Sequence, residues 1–170
     1  HNSNNGPIFI EHGKETITLK GFSWKWIEEG KTAEILTEYQ VQVPDRDGNI
    51  AADMPYSVRY TVYADGIVDV NAVYETCEGF DLPRLGLAAS ITSGFENVKW
   101  YGRGPQENYP DRERSSFLGV YGNTVDGMVE KYVRSQSMGN RGDIRWMTLT
   151  DDKGHGIKIT AGCDLGFSAL

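Results

Sequence analysis

Cysteine, histidine, basic charge and long apolar runs are all scarce in this 170-residue chain, and each shortage removes a class of function. The two cysteines, Cys77 and Cys163, have neither metal-ligand nor redox spacing. That argues against a cysteine zinc site or a Cys-x-x-Cys oxidoreductase and leaves two buried thiols or one disulfide as readings. The three histidines, His1, His12 and His155, are too dispersed for a multi-histidine zinc site. No apolar run approaches the ~20 residues of a membrane helix or the shorter core of a signal peptide, so no membrane partner is expected. Lysine and arginine number 17 against 24 acidic residues, a net charge of -7, and they fall singly, as at Lys14, Lys20, Lys25, Arg46 and Arg59. With no basic stripe to neutralise phosphates, nucleic acid is not an expected partner. Gly-x-Ser-x-Gly is absent, Ser115-Ser116 has no local histidine, and Gly102-x-Gly104 does not continue into a phosphate loop.

What the chain does have is period two. In "TAEILTEYQVQV", Ala33, Ile35, Tyr39, Val41 and Val43 share one face and Glu34, Glu38, Gln40 and Gln42 the other, with Leu36 and Thr37 as exceptions. This alternation belongs to half-buried strands. After the turn "PDRDGN", "YSVRYTVYADGIVDVNAVYE" aligns Tyr56, Val58, Tyr60 and Val62 before Asp65-Gly66, and Val68, Val70, Ala72 and Tyr74 after it. Asp-Gly between alternating runs predicts a hairpin with a type I′ turn. Further strands are expected at "TITL", "FSWKWI" (Phe22, Trp24 and Trp26 on one face), "RLGLAASI", "NVKWY", "IRWMTLT" and "GIKITAG", the last two joined by the turn "DDKGHG". A short helix is an option only near 124–132. Many short strands joined by turns predict an all-β chain of antiparallel sheets packed as a sandwich. The polar start over 1–14 reads as a linker or cloning remnant, and the abrupt end "DLGFSAL" predicts a piece of a longer chain.

The stretch "WYGRGPQENYPDR" is the strongest local feature. Pro105 and Pro110 fix φ, while Gly102 and Gly104 have access to backbone conformations closed to other residues. Glu107 and Asp111 could form the paired carboxylates of a glycosidase, which need either about 5 Å or about 6.5–9.5 Å between them. The favoured reading is structural: Glu107, Asn108 and Asp111 accept backbone N–H bonds or pair with Arg103, Arg112 or Arg114. Asp151 and Asp152 could serve calcium, but a glycine-rich turn needs the same residues. Aromatic side chains stack on the apolar faces of sugars, which makes Trp24, Trp26, Trp100 and Trp146 candidates, with core packing the competing use.

Residues 97–112, "NVKWYGRGPQENYPDR", are similar to a motif of the C-terminal domain of large β-galactosidases of glycoside hydrolase family 2, Trp-x-Gly-x-Gly-Pro-Gln-Glu-Asn-Tyr-Pro-Asp-Arg. The residues that carry the match are Tyr101, Gly102, Gly104, Pro105, Gln106, Glu107, Asn108, Tyr109, Pro110, Asp111 and Arg112. Upstream, "LPRLGLAASI" resembles the family's Pro-Arg-hydrophobic-Gly strand. Downstream, "GNRGDIRW", with Arg141, and "FSAL" resemble its later strand pair. One departure is Ser135-Gln136-Ser137, where the family usually has Pro-Gln-Glu.

The resemblance spans about 16–170 and implies that 15–170 is part of a galactose-mutarotase-like antiparallel supersandwich. It further implies a non-catalytic domain of a retaining β-galactosidase, bounding the pocket for terminal β-D-galactosides. The catalytic glutamates would lie in a separate barrel, so no catalytic residue and no metal site is assigned here. Tyr101, Gly102, Gly104, Pro105, Glu107, Asn108, Tyr109, Asp111, Arg112 and Arg141 are expected to be structural or to border the pocket. Trp100 and Trp146 are the sugar-stacking candidates. No cofactor is implied within the chain; Mg or Na, if the parent enzyme uses either, would bind outside it. The implied partners are the rest of the β-galactosidase chain and its substrate, with a homo-oligomer left open and a bacterial cytoplasm or periplasm as compartment. The rival readings are a stand-alone carbohydrate-binding module and an aldose epimerase, the latter poorly served by His12 and His155.

Overall fold

A computed structural model describes residues 15–45, 47–75, 86–134, 136–162 and 165–169. His12, Cys77, Cys163 and Ser135 lie outside the described residues, as does the proposed linker over 1–14. The chain is all-β and antiparallel, as expected, and divides into two compact units, 1–86 and 87–170.

The first unit is a meander of β1 (Thr16–Glu28), β2 (Thr32–Pro44), β3 (Ile50–Tyr63) and β4 (Val68–Tyr74), in sheet order β1-β2-β3-β4. "TITL" and "FSWKWI" are thus one strand, and a bulge explains why their apolar parity differs. Leu19 faces Tyr39, but Gly21 faces Glu38, so Lys20 is the extra residue. The slip moves odd-numbered Ile17 and Leu19 and even-numbered Phe22, Trp24 and Trp26 onto one face. The apolar residues of β3 and β4 pair as Tyr56↔Tyr74, Val58↔Ala72, Tyr60↔Val70 and Val62↔Val68.

Tyr39, Tyr56 and Tyr74 stack across three strands at 4.7 and 5.2 Å between ring centroids. The exception Thr37 is buried because its hydroxyl donates to the Val58 carbonyl at 3.2 Å. Pro55 is tolerated where β3 runs beyond the paired length of β4, since no ladder N–H is required there. The opposite face is charged, with Lys25 and Arg59 both on Glu34 at 3.0 and 3.5 Å. Among the described residues of this unit, the buried apolar side chains are one cluster of Val43, Ala52 and Met54, plus Val58.

The hairpin turn at Asp65-Gly66 forms, but not as type I′. Only Gly66 has positive φ (90°); the Gly66 N–H donates to the Tyr63 carbonyl at 3.1 Å, and Tyr63 N–H to Ile67 at 2.9 Å. This is a type I turn closed by a glycine bulge, which lets Asp65 keep an ordinary backbone and accept the Ile67 N–H at 3.1 Å. The same closure recurs at 45–49, around Gly48, and at 151–155, around Gly154.

The second unit orders β5 (Asn97–Gly104), β6 (Phe117–Thr124), β7 (Trp146–Thr150) and β8 (Gly156–Thr160) as β6-β5-β7-β8. Strand β6 has no counterpart among the expected strands, because Gly119 and Gly122 interrupt its alternation. The expected strand at "RLGLAASI" does not form over its described part, 86–91, and the helix option at 124–132 reduces to a 3-10 turn, Asp126–Met128. Val98, Trp100, Met128, Ile144, Met147 and Leu149 form the core, with Phe95, Tyr121, Val125, Phe167 and Ala169 packed against it.

Candidate functional site

The proline- and glycine-rich stretch begins inside β5 and leaves it at Gly104, whose bond to Pro105 is cis. Neither Gly102 nor Gly104 uses a positive φ, so their requirement is space. A Cβ on Gly102 would lie 2.4 Å from Ile144 Cδ1 and 3.1 Å from the Asp143 carbonyl; one on Gly104 would lie 2.7 Å from the Tyr121 ring. The glycines let the strand press against the segment at 139–145 and the aromatic core.

That segment is sewn to the loop by paired bonds. Arg103 N–H donates to the Gly142 carbonyl at 3.0 Å and Asn108 N–H to the Asn140 carbonyl at 2.9 Å. Asn108, 1 % exposed, accepts from Gly142 N–H at 2.9 Å, donates its amide to the Gln106 carbonyl at 3.3 Å, and offers its own carbonyl to the Asn140 amide at 2.7 Å. Such a fully bonded buried amide fixes the relative position of two irregular segments.

Arg141 is 2 % exposed, donates from Nε to the Pro105 carbonyl at 3.0 Å, and lays its guanidinium 5.5 Å from the centre of the Trp100 ring. Burial pushes its pKa below the ordinary arginine value, while the charges of Glu130 and Glu107 oppose that fall. Its backbone bridges Phe167 in both directions, at 2.8 and 2.9 Å, which ties in the end of the chain. Trp100 is 1 % exposed, donates to the Arg103 carbonyl at 3.0 Å, and packs on Tyr121 and Phe167 at 5.6 and 5.9 Å. Trp146 remains partly open, beside the Lys158 ammonium at 5.7 Å, and Tyr101 is 38 % exposed.

Glu107 is buried at 7 % exposure. Its carboxylate accepts from Arg112 and the Tyr132 hydroxyl on one oxygen and from Gly139 N–H at 2.8 Å on the other. Burial alone would raise its pKa, but the Tyr132 and Gly139 donors and the Arg112 charge together hold it below the usual glutamate value. A glycosidase general acid needs the opposite shift. Asp111 is exposed, and its charge acts on Arg112, whose pKa it helps to raise. The loop therefore brings Glu107, Asn108, Arg112 and Arg141 together around structural bonds, with Asp111 an exposed charge beside Arg112. Tyr109 carries Arg112 over its ring at 5.2 Å, and its hydroxyl is buried without a hydrogen bond.

Sequence reasoning missed Tyr132, Gly139 and Asn140, the partners that close the cluster, because the stretch from 129 to 140 carries no periodic signal. Asp151 accepts the N–H groups of Lys153 and His155, both at 2.8 Å, so its carboxylate serves the turn. Among the described residues, no three His, Cys, Asp or Glu side chains gather as a metal site.

Fold and site together define an all-β domain with a loop locked by a buried carboxylate, amide and guanidinium. A sequence model of the family described as "Beta galactosidase small chain" matches residues 8–170, and the chain belongs to that family. It is 37 % identical over 103 residues to a β-galactosidase of Priestia megaterium, covering 60 % of this chain and 10 % of that protein. With the β-galactosidase BgaC of Bifidobacterium adolescentis it shares 32 % over 127 residues, covering 73 % and 11 %. With a β-galactosidase of Streptococcus thermophilus it shares 30 % over 178 residues, covering 92 % and 17 %. The matched chain thus spans between a tenth and a fifth of the length of these relatives.

Proposed function

We propose that residues 15–170 form part of the non-catalytic supersandwich domain of a retaining β-galactosidase that acts on terminal β-D-galactosides. In this reading the domain packs on the catalytic barrel and borders the substrate pocket. The observation that carries the non-catalytic reading is the state of Glu107, a buried carboxylate that three donors hold below the usual glutamate pKa, where a glycosidase general acid needs the opposite shift. The loop then works as a rigid former: Glu107, Asn108 and Arg141 hold the backbone from 101 to 112 in one shape, and Tyr101, Tyr109 and Asp111 stand at its margin. Homology supplies the substrate class, and any Mg or Na of the parent enzyme would be held by other segments.

The test is turnover of an aryl β-galactoside by the 170-residue chain and by the parent enzyme. The chain alone is expected to be inactive. In the parent, Glu107→Gln should leave kcat within a few-fold while lowering thermal stability. Turnover by the isolated chain, or a loss of kcat of a thousandfold or more in a stably folded Glu107→Gln parent, would assign the chemistry to this loop.

A further inference from the structure

Strands β5 to β8 bury one face of their sheet and leave the other open. The buried side carries Val98, Trp100, Met147 and Leu149; strand alternation sends Asn97, Lys99, Tyr101 and Arg103 of β5 to the outer side, with Trp146, Thr148 and Thr150 of β7 and Lys158 and Thr160 of β8. In a chain of net charge -7, these four strands contain no Asp or Glu at all, and every charge on them is positive. Arg103 pairs with Asp143 at 3.5 Å, whereas Lys99 and Lys158 make no ion pair among the described residues. The carboxylate at the rim, Asp152, is held by the Asn97 amide at 3.1 Å.

Lys99 and Lys158 are both register partners of Thr148, on either side of it. Their backbones stand two strand spacings apart, about 9.5 Å, so two extended ammonium groups can meet on one anion. One row along the strands, Tyr101 and Trp146 are partners, and the Lys158 ammonium lies 5.7 Å from the Trp146 ring. On the side of the Lys99 row away from Tyr101 and Trp146 lies a shallow, open depression of about 610 Å³, lined by Asn97, Lys99, Gly122, Thr124, Thr148 and Thr150. Gly122 is part of its lining, and a Cβ there would meet only the Val98 carbonyl, at 3.6 Å; with no positive φ either, packing does not demand glycine at this position.

We infer that this outer face binds an anionic saccharide. Its carboxylate or sulfate would lie between Lys99 and Lys158, its hydroxyls on Asn97, Thr148 and Thr150, and a ring face against Trp146 and Tyr101. The hydroxyl and amide lining suits a polyol, and two free cations with no continuing track suit one anionic group better than a phosphate backbone. The site does not depend on the β-galactosidase reading.

Affinity electrophoresis and calorimetry of the 170-residue chain, with polygalacturonate, a sulfated galactan, a neutral galactan and a dT15 oligonucleotide, test the inference. Binding to at least one of the two acidic polymers is expected, and which one binds tells carboxylate from sulfate. That binding should weaken at least tenfold in the Lys99→Gln/Lys158→Gln double variant, and as much in Gly122→Val, which places a branched side chain in the depression beside Lys99 and Thr148 at a position where a Cβ meets no clash. Far-UV circular dichroism confirms folding of each variant. Failure to bind either acidic polymer, equal affinity for the neutral galactan, tighter binding of dT15, or unchanged affinity in folded Gly122→Val would each overturn it.

Discussion

The first sheet has the longer strands and the second has the deeper core. Strands β1, β2 and β3 run 13, 13 and 14 residues, yet Phe22, Trp24 and Trp26 on their apolar face are 63, 59 and 50 % exposed. Strands β5 to β8 have 5 to 8 residues, but Trp100, Met128 and Ile144 are at most 1 % exposed. The difference lies in the irregular chain. In the second unit, the irregular segments at 105–116, 129–134, 136–145 and 165–169 fold over one side of the sheet and bring their own polar groups with them. Once loops bury a core, every amide and charge they carry needs a partner, and Asn108, Glu107 and Arg141 meet that need. The first unit is short hairpin turns and ladder, so its stability is spread over cross-strand pairs worth a fraction of a kcal/mol each, about 0.2–1.

Substitutions at equivalent chemistry should separate the two regions. Trp100→Ala removes a fully buried indole and its bond to Arg103, and should destabilise the second unit by about 3–5 kcal/mol in urea denaturation. Trp24→Ala, the same change on the open face, should cost under ~1 kcal/mol; comparable losses would mean that the open face is covered in solution. Glu107→Ala should cost about 2–3 kcal/mol, because Gly139 N–H and Tyr132 lose a buried acceptor. Asn108→Ala should cost about 1–2 kcal/mol through the freed Gly142 N–H.

Acid should also tell the units apart. The Glu107 carboxyl titrates lower when folded than when unfolded, so its contribution is complete above the unfolded value of about 4.3 and fades as pH falls through the lower folded value. The stability difference between wild type and Glu107→Gln should therefore shrink below about pH 4, measured by denaturant midpoints from pH 7 to 3. The smallest effect concerns association. The open apolar face should promote self-association of the isolated chain, and Trp24→Thr with Phe22→Thr should lower the apparent mass in sedimentation; a wild-type monomer at millimolar concentration would contradict this.

How far each region could be read from sequence follows the same division. Alternation grouped Tyr56, Val58, Tyr60 and Val62, and Val68, Val70, Ala72 and Tyr74, on faces that do meet across the hairpin, but the expected type I′ turn would have paired Val62 with Asp69, and the glycine bulge moves it to Val68. Where β6 carries Gly119 and Gly122, the alternation is broken and the strand was invisible. Glu107 and Arg112 stand five residues apart and could be anticipated as a pair, whereas Tyr132 and Gly139 reach Glu107 from 25 and 32 residues away. Contacts at that range leave no local period. The motif resemblance marked Asn108 and Arg141 as important without saying how; the hydrogen bonds show that each spans two segments of backbone.

The extra residue at Lys20 carries a consequence for how this protein can change. On either side of it the apolar residues of β1 are out of phase by one, so the bulge acts as a punctuation mark between two reading frames of the pleat. Deleting that one codon would give Ile17, Leu19, Phe22, Trp24 and Trp26 a single parity, so an unbroken ladder would keep all five on the apolar face. A one-residue insertion or deletion elsewhere in β1, unless taken up as another bulge, would instead turn the side chains on one side of it toward the charged face. Strand β1 can thus lose its bulge residue and keep its faces, whereas a change in length elsewhere along the ladder would exchange them.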